Sequence, residues 1–177
     1  MTDQQNVSEK KDDGRRIGAW MMIGAWVLLI GLGTLLLNRY MERSRNPNNE
    51  VVTTEYGGKR SITLQRGRHG HYVVTGTING YQAEFLVDTG ASSVSVPVDV
   101  ADGAGLTRGA PIKINTANGI GTAYATRIDR LRIGELEVRN VTAHVNPGLS
   151  DAVLLGMSVL KHYELIQRGD KLIIREP

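Results

Sequence analysis

Phe85-Leu86-Val87-Asp88-Thr89-Gly90-Ala91-Ser92-Ser93 puts a lone carboxylate at the mouth of an apolar run. Phe85, Leu86 and Val87 read as the end of a buried strand, and Thr89 to Ser93 supply the small residues and hydroxyls of a tight turn. Gly90 can take a positive φ that residues with a Cβ resist, and Thr89 can hydrogen-bond to neighbouring backbone. An acid at that position is either a burden on folding or a tool, and the loop is expected to hold it rigidly.

The tripeptide Asp-Thr-Gly by itself carries modest weight, because composition alone produces it in about 1 of 25 to 1 of 50 chains of this length. Two further elements follow it in order. Asn115-Thr116-Ala117-Asn118-Gly119 is a hairpin signal, and Ala152-Val153-Leu154-Leu155-Gly156-Met157-Ser158-Val159-Leu160 is an apolar strand that meets a glycine and continues as a short helical pattern. Acid loop, hairpin and hydrophobic-hydrophobic-Gly together resemble a retropepsin-type aspartic protease. More narrowly, the chain is similar to the bacterial membrane-anchored, single-domain retropepsin-like proteases of clan AA, over residues 70–165 and an N-terminal apolar segment.

The resemblance implies an all-β fold, a retropepsin-like closed β-barrel or sandwich with one or two short helices, preceded by a single N-terminal transmembrane helix. It implies Asp88 as the catalytic residue, with Thr89 and Gly90 in the active-site loop and Thr89 bracing two such loops across a two-fold axis. Thr116, Ala117, Asn118 and Gly119 correspond to the flap that closes over an extended peptide, and Leu154, Leu155 and Gly156 to the structural hydrophobic-Gly element.

Ile17 to Leu37 are uncharged throughout, and at 1.5 Å per residue they reach about 31 Å, the thickness of a bilayer's hydrocarbon core. Trp20 and Tyr40 lie near its ends, where amphipathic rings favour the interface. The segment is longer than a signal peptide's apolar region and runs into Leu36-Leu37-Asn38-Arg39 rather than a small-residue cleavage site, which favours an uncleaved anchor. Four domains of sequence result: a polar tail (1–16), the transmembrane helix (17–37), a linker (38–68) punctuated by Asn46-Pro47-Asn48-Asn49 and Gly57-Gly58, and the protease-like domain (69–177). Basic residues on the two sides nearly balance, so charge decides little about orientation. The short tail and the resemblance favour a single-pass inner-membrane protein with the domain in the periplasm.

Composition removes several functions. The chain has no cysteine, so disulfides and thiol catalysis are out. Its net charge of +3 from 21 Lys and Arg against 18 Asp and Glu is an ordinary solvated surface, not a nucleic-acid footprint. His69, His71, His144 and His162 lack metal-ligand spacing, and neither metal nor cofactor is expected. Leu160 stands where a nucleophile elbow after Ser158 would need glycine. Asp151, after Asn146-Pro147-Gly148-Leu149-Ser150, reads as a turn residue. A phosphoryl-acceptor role for Asp88 would want a metal-binding carboxylate and an α/β pattern, and neither is visible.

Short apolar or alternating runs fall at Tyr72–Ile78, Tyr81–Val87, Val94–Val96, Ile112–Asn115, Ala123–Ile133, Leu136–Val145, Ala152–Leu155 and Leu172–Arg175, an all-β rhythm. Asn79-Gly80 is the strongest short hairpin signal, since both positions of a type I′ turn need positive φ. Short helices are expected at Val98–Ala104 and Met157–His162.

Hydrolysis of an amide by carboxylates alone needs two of them sharing one proton. Only one Asp-Thr-Gly is present, and the residues after the anchor are too few for two lobes. The second acid is therefore expected from a second copy, in a two-fold homodimer that takes protein or peptide substrates. Leu172-Ile173-Ile174 is a strand available to that interface. The alternative is a catalytically inactive membrane-anchored β-module that binds a protein partner.

Overall fold

The computed structural model describes residues 5–116 and 119–177. The chain divides into two compact units, one ending at Glu42 and one running from Arg43 to Pro177. Helix α1 (Gln5–Arg45), most of which forms the first, includes the stretch Gly18–Met41, long and apolar enough to cross a membrane, with its side chains exposed throughout. The helix outruns the expected 17–37 at both ends, because the flanking Lys, Glu and Arg are themselves good helix formers.

The second unit is mostly β. In chain order its elements are β1 (Thr53–Tyr56), β2 (Lys59–Gln65), β3 (Val73–Ile78), β4 (Tyr81–Val87), β5 (Val94–Val96), α2 (Val98–Gly103), β6 (Pro111–Thr116), β7 (Gly119–Ile133), β8 (Leu136–Val145), β9 (Val153–Leu155), α3 (Met157–Leu160), β10 (Glu164–Arg168) and β11 (Lys171–Arg175). Strands β3, β4, β9, β5, β8 and β7 neighbour one another in that order, and β7 returns to β3 through Thr77↔Arg132 and Ile78↔Leu131. The result is a closed six-stranded barrel of the retropepsin kind, with β6 paired to β7 outside the ring.

Alternation decides which faces turn inward. In β3, Val74, Gly76 and Ile78 are buried while their neighbours are partly exposed. Phe85, the only phenylalanine, is fully buried with Val94, Val96, Ile128, Val145, Val153 and Leu155 in one continuous core. The Asn79-Gly80 turn between β3 and β4 has φ of 51° and 90°, as its sequence requires. Its tip also closes the barrel: Asn79 N–H donates to the Arg130 carbonyl at 2.8 Å, and Arg130 N–H donates to Asn79 Oδ1 at 3.0 Å. Gly76 permits the closure, since a Cβ there would sit 2.5 Å from the Arg132 carbonyl oxygen.

A second sheet runs β1-β2-β11-β10, all antiparallel. It seats Ile62, Leu64, Leu172 and Ile174 in the barrel's core. Here the structure departs from two expectations. Residues 46–65, read as linker, are an integral part of the folded unit, with Asn46 and Asn48 buried and β1 and β2 in the sheet. β2 carries only two inward apolar residues, too few to announce a strand, and its pairing with β11 makes it one. Leu172-Ile173-Ile174 lies in β11, hydrogen-bonded on one side to β10 and on the other to β2, so neither of its edges is open to a partner.

Candidate active site

Asp88 directly follows β4 and is half-buried, with Thr89 and Gly90 exposed beyond it. Two kinds of contact fix the loop. Val87 N–H donates to the Tyr72 carbonyl at 2.9 Å and Asp88 N–H to the Leu155 carbonyl at 3.2 Å, which pins the strand end. Asp88 then closes a turn on itself: its Oδ1 accepts the Gly90 N–H at 2.9 Å, and its carbonyl accepts the Ala91 N–H at 3.3 Å. Gly90 lies outside the left-handed region, contrary to the positive φ its type permits. A Cβ there would stand 3.2 Å from Asp88 Oδ1 and crowd the carboxylate.

Beneath the loop runs β9. It pairs in parallel with β4, with Leu86↔Leu154 and Val87↔Leu155 in register, so Gly156 arrives beside Asp88. A Cβ on Gly156 would press into the loop backbone, 2.7 Å from the Ser93 carbonyl carbon and 2.8 Å from the Ala91 carbonyl oxygen. The next residue completes the lock, with Met157 N–H donating to the Ala91 carbonyl at 2.8 Å. The two sequence elements, nearly 70 residues apart in the chain, thus meet at one place.

Two side chains that the sequence did not single out for the site extend this support. Ser158 Oγ accepts the Val94 N–H at 3.1 Å and donates to the Thr142 carbonyl at 3.1 Å, tying the far end of the loop to β8. Ser93 Oγ and His144 Nδ1 share a hydrogen bond of 3.0 Å. Partial burial of His144 pushes its pKa below the usual 6.5. Neither residue forms a recognisable sequence motif, because both act across strands.

Thr116 and Gly119 face each other at the end of the β6–β7 hairpin, where Thr116 Oγ1 donates to the Gly119 carbonyl at 2.8 Å. Ala117 and Asn118, the expected tip, lie outside the described residues. The arm exposes two large apolar side chains, Ile112 at 37 % and Ile120 at 78 % of full exposure. Asp151 is exposed in a bend five residues before Gly156. As β4 and β9 run parallel and Asp151 precedes β9, it belongs to the end of the strand pair opposite Asp88.

A six-stranded barrel that presents one Asp-Thr-Gly loop over a hydrophobic-hydrophobic-Gly strand defines a retropepsin-like domain. The chain belongs to the retropepsin-like aspartyl protease family: residues 74–162 match the family model described as "gag-polyprotein putative aspartyl protease". It is 32% identical to an uncharacterized protein from the cobV 5′ region of a Sinorhizobium species, over 92% of this chain and 73% of that one. It is 31% identical to an uncharacterized protein of Rickettsia prowazekii, covering 69% of this chain and 52% of the relative. Among solved structures, the retropepsin-like aspartic protease from Rickettsia conorii matches with a TM-score of 0.55 and 27% identity, over 72% of this chain and 95% of that chain.

Proposed function

We propose that the protein is a membrane-anchored aspartic endopeptidase, active as a homodimer in which each subunit contributes its Asp88. The observation that carries this reading is the rigid presentation of a half-buried Asp88 by a loop bonded to itself and to the β9–Gly156 element. Family membership and the likeness to the Rickettsia conorii protease support it.

Two Asp88 carboxylates facing each other across a two-fold axis cannot both ionise comfortably, so the pair holds one proton. The ionised carboxylate takes a proton from a water whose oxygen attacks the peptide carbonyl carbon, while the protonated carboxyl donates to the carbonyl oxygen. The tetrahedral intermediate then breaks its C–N bond as the nitrogen receives a proton, releasing a carboxylic acid and an amine. Thr89 braces the two loops. The tip of the β6–β7 arm, residues 115–122, closes over an extended peptide, and the exposed Ile120 there, with Ile112 further down the arm, supplies apolar surface to be covered on closure. The backbone of the substrate pairs as an added strand. Helix α1 spans the inner membrane and the domain works in the periplasm.

Full-length protein in detergent micelles, given a mixed peptide pool across pH 3 to 8 and read by mass spectrometry, tests the reading. New termini made by the wild type in an acid-favoured window and absent with Asp88→Asn support it. Silence from wild type that is folded and dimeric, including in vesicles, would turn the assignment to the binding module.

A further inference from the structure

The end of the apolar helix and a basic rim of the domain are tied together by chain length. Asn48 lies seven residues beyond Met41, the last residue of the membrane-length stretch. Since an extended chain advances at most about 3.6 Å per residue, Asn48 stays within about 25 Å of that end by any route. Asn48 is also locked into the domain. Its Nδ2 donates to the carbonyls of Gln65 at 2.9 Å and Val73 at 2.7 Å, and its Oδ1 accepts the Gln65 N–H at 2.7 Å. Gln65 and Val73 flank the loop 66–72, so the base of that loop is held by a residue that cannot stray far from the membrane-length helix.

The loop is basic and compact. Gly67 N–H donates to the His71 carbonyl at 2.8 Å and Gly70 N–H to the Gly67 carbonyl at 3.0 Å, while the Arg66 guanidinium stacks over the Tyr72 ring at 5.6 Å. Arg66 N–H donates to the Asp170 carbonyl at 2.8 Å, which sets the β10–β11 turn beside the loop. Arg66, Arg68, Arg168 and Lys171 are all exposed on these two turns. Against them stand Asp170, 3.9 Å from Arg66, and Glu84, which accepts Asn46 Nδ2 at 3.0 Å. On these two turns, among the described residues, four basic side chains stand beside one carboxylate, Asp170.

We propose that this rim docks on the anionic phospholipid headgroups of the membrane that α1 crosses, so that lipid charge sets how the domain sits on the surface. The inference rests on α1 spanning that membrane. Attraction to an anionic surface fades within a Debye length of about 8–10 Å, so a basic patch matters only when something keeps it close. The short tether keeps the patch within a few Debye lengths of the lipid, which raises its effective concentration there without any added contact.

The absence of cysteine gives a clean probe. Full-length His69→Cys protein, carrying a fluorophore, is reconstituted into vesicles of phosphatidylcholine alone or mixed with phosphatidylglycerol, with a nitroxide quencher on the headgroups. Quenching should be several-fold stronger with phosphatidylglycerol, fall with added salt, and drop when Arg66 and Arg68 are both changed to Gln. Each basic side chain near an anionic surface is worth about fivefold in association. Because Arg66 also packs on Tyr72, an Arg168→Gln/Lys171→Gln variant that leaves that contact intact must weaken quenching as well. Equal quenching in both lipids, or indifference to both charge pairs, overturns the docking. Alkaline extraction of the same vesicles separates the two ideas: a chain retained without charge-dependent quenching sinks the docking alone, and a chain released sinks the anchor and the docking with it.

Discussion

Gly156 has no room for a side chain, because β9 ends against the backbone of the loop that carries Asp88. Gly156→Ala must push that loop or itself aside, and overpacking of this kind costs about 1–3 kcal/mol. Urea unfolding should show the loss, and peptide cleavage should fall further than stability alone explains, since the displaced atoms belong to the site. Asp88→Asn is a contrasting change. The amide oxygen can still accept the Gly90 N–H, so stability should move by less than about 1 kcal/mol while cleavage disappears. His144 gives the pH dependence. Its folded pKa lies below 6.5, so as pH falls past 6.5 the unfolded chain takes up a proton that the folded one refuses. Stability contributed by His144 is therefore full above 6.5 and is lost as pH drops toward the depressed value. Denaturant midpoints on either side of that window, for wild type and His144→Gln, check the sign: the variant should lose less on acidification.

At the scale of elements, the informative segment is the one that precedes the barrel. Its sequence, with Asn-Pro-Asn-Asn and Gly-Gly, has the composition of a linker, yet Asn46 and Asn48 are buried, Asn48 satisfying backbone groups of β2 and β3 and Asn46 bonding the side chains of Thr75 and Glu84. Asn48→Ala leaves the Gln65 N–H and two carbonyls without their partner and should cost about 2–4 kcal/mol, read as a lower urea midpoint with an unchanged slope. The strands β1 and β2 matter for the same reason. A chain shortened to begin at residue 69 would strip β11 of one neighbour and expose the core faces of Leu172 and Ile174. Such a chain is expected to aggregate rather than give a smaller soluble domain, which size-exclusion chromatography would show.

At the scale of the whole molecule, the proposed mechanism with one Asp-Thr-Gly per chain would make activity a property of pairs. Mixing equal amounts of wild type and Asp88→Asn, allowed to exchange, should leave about a quarter of the dimers with two carboxylates, so activity should fall below half. Activity that stays near three quarters of that of the same total amount of wild type would show that one carboxylate per site suffices. Much of the fold was readable beforehand because local chemistry demanded it. Two positive φ angles in succession select Asn79-Gly80, alternating burial marks β3, the apolar run Phe85–Val87 marks the end of β4, and the length of an uncharged run marks α1. The sequence by itself also determined the candidate acid and the order of acid loop, hairpin and hydrophobic-Gly strand, since those residue types at those spacings are set along the chain. Only the tertiary structure decided that β1, β2 and β10 are strands, that β11 is an inner strand with both edges taken, and that Ser158 and His144 support the loop. Each of these depends on a partner far away in sequence, and a hydrogen bond made across strands leaves no periodicity in either segment to be read.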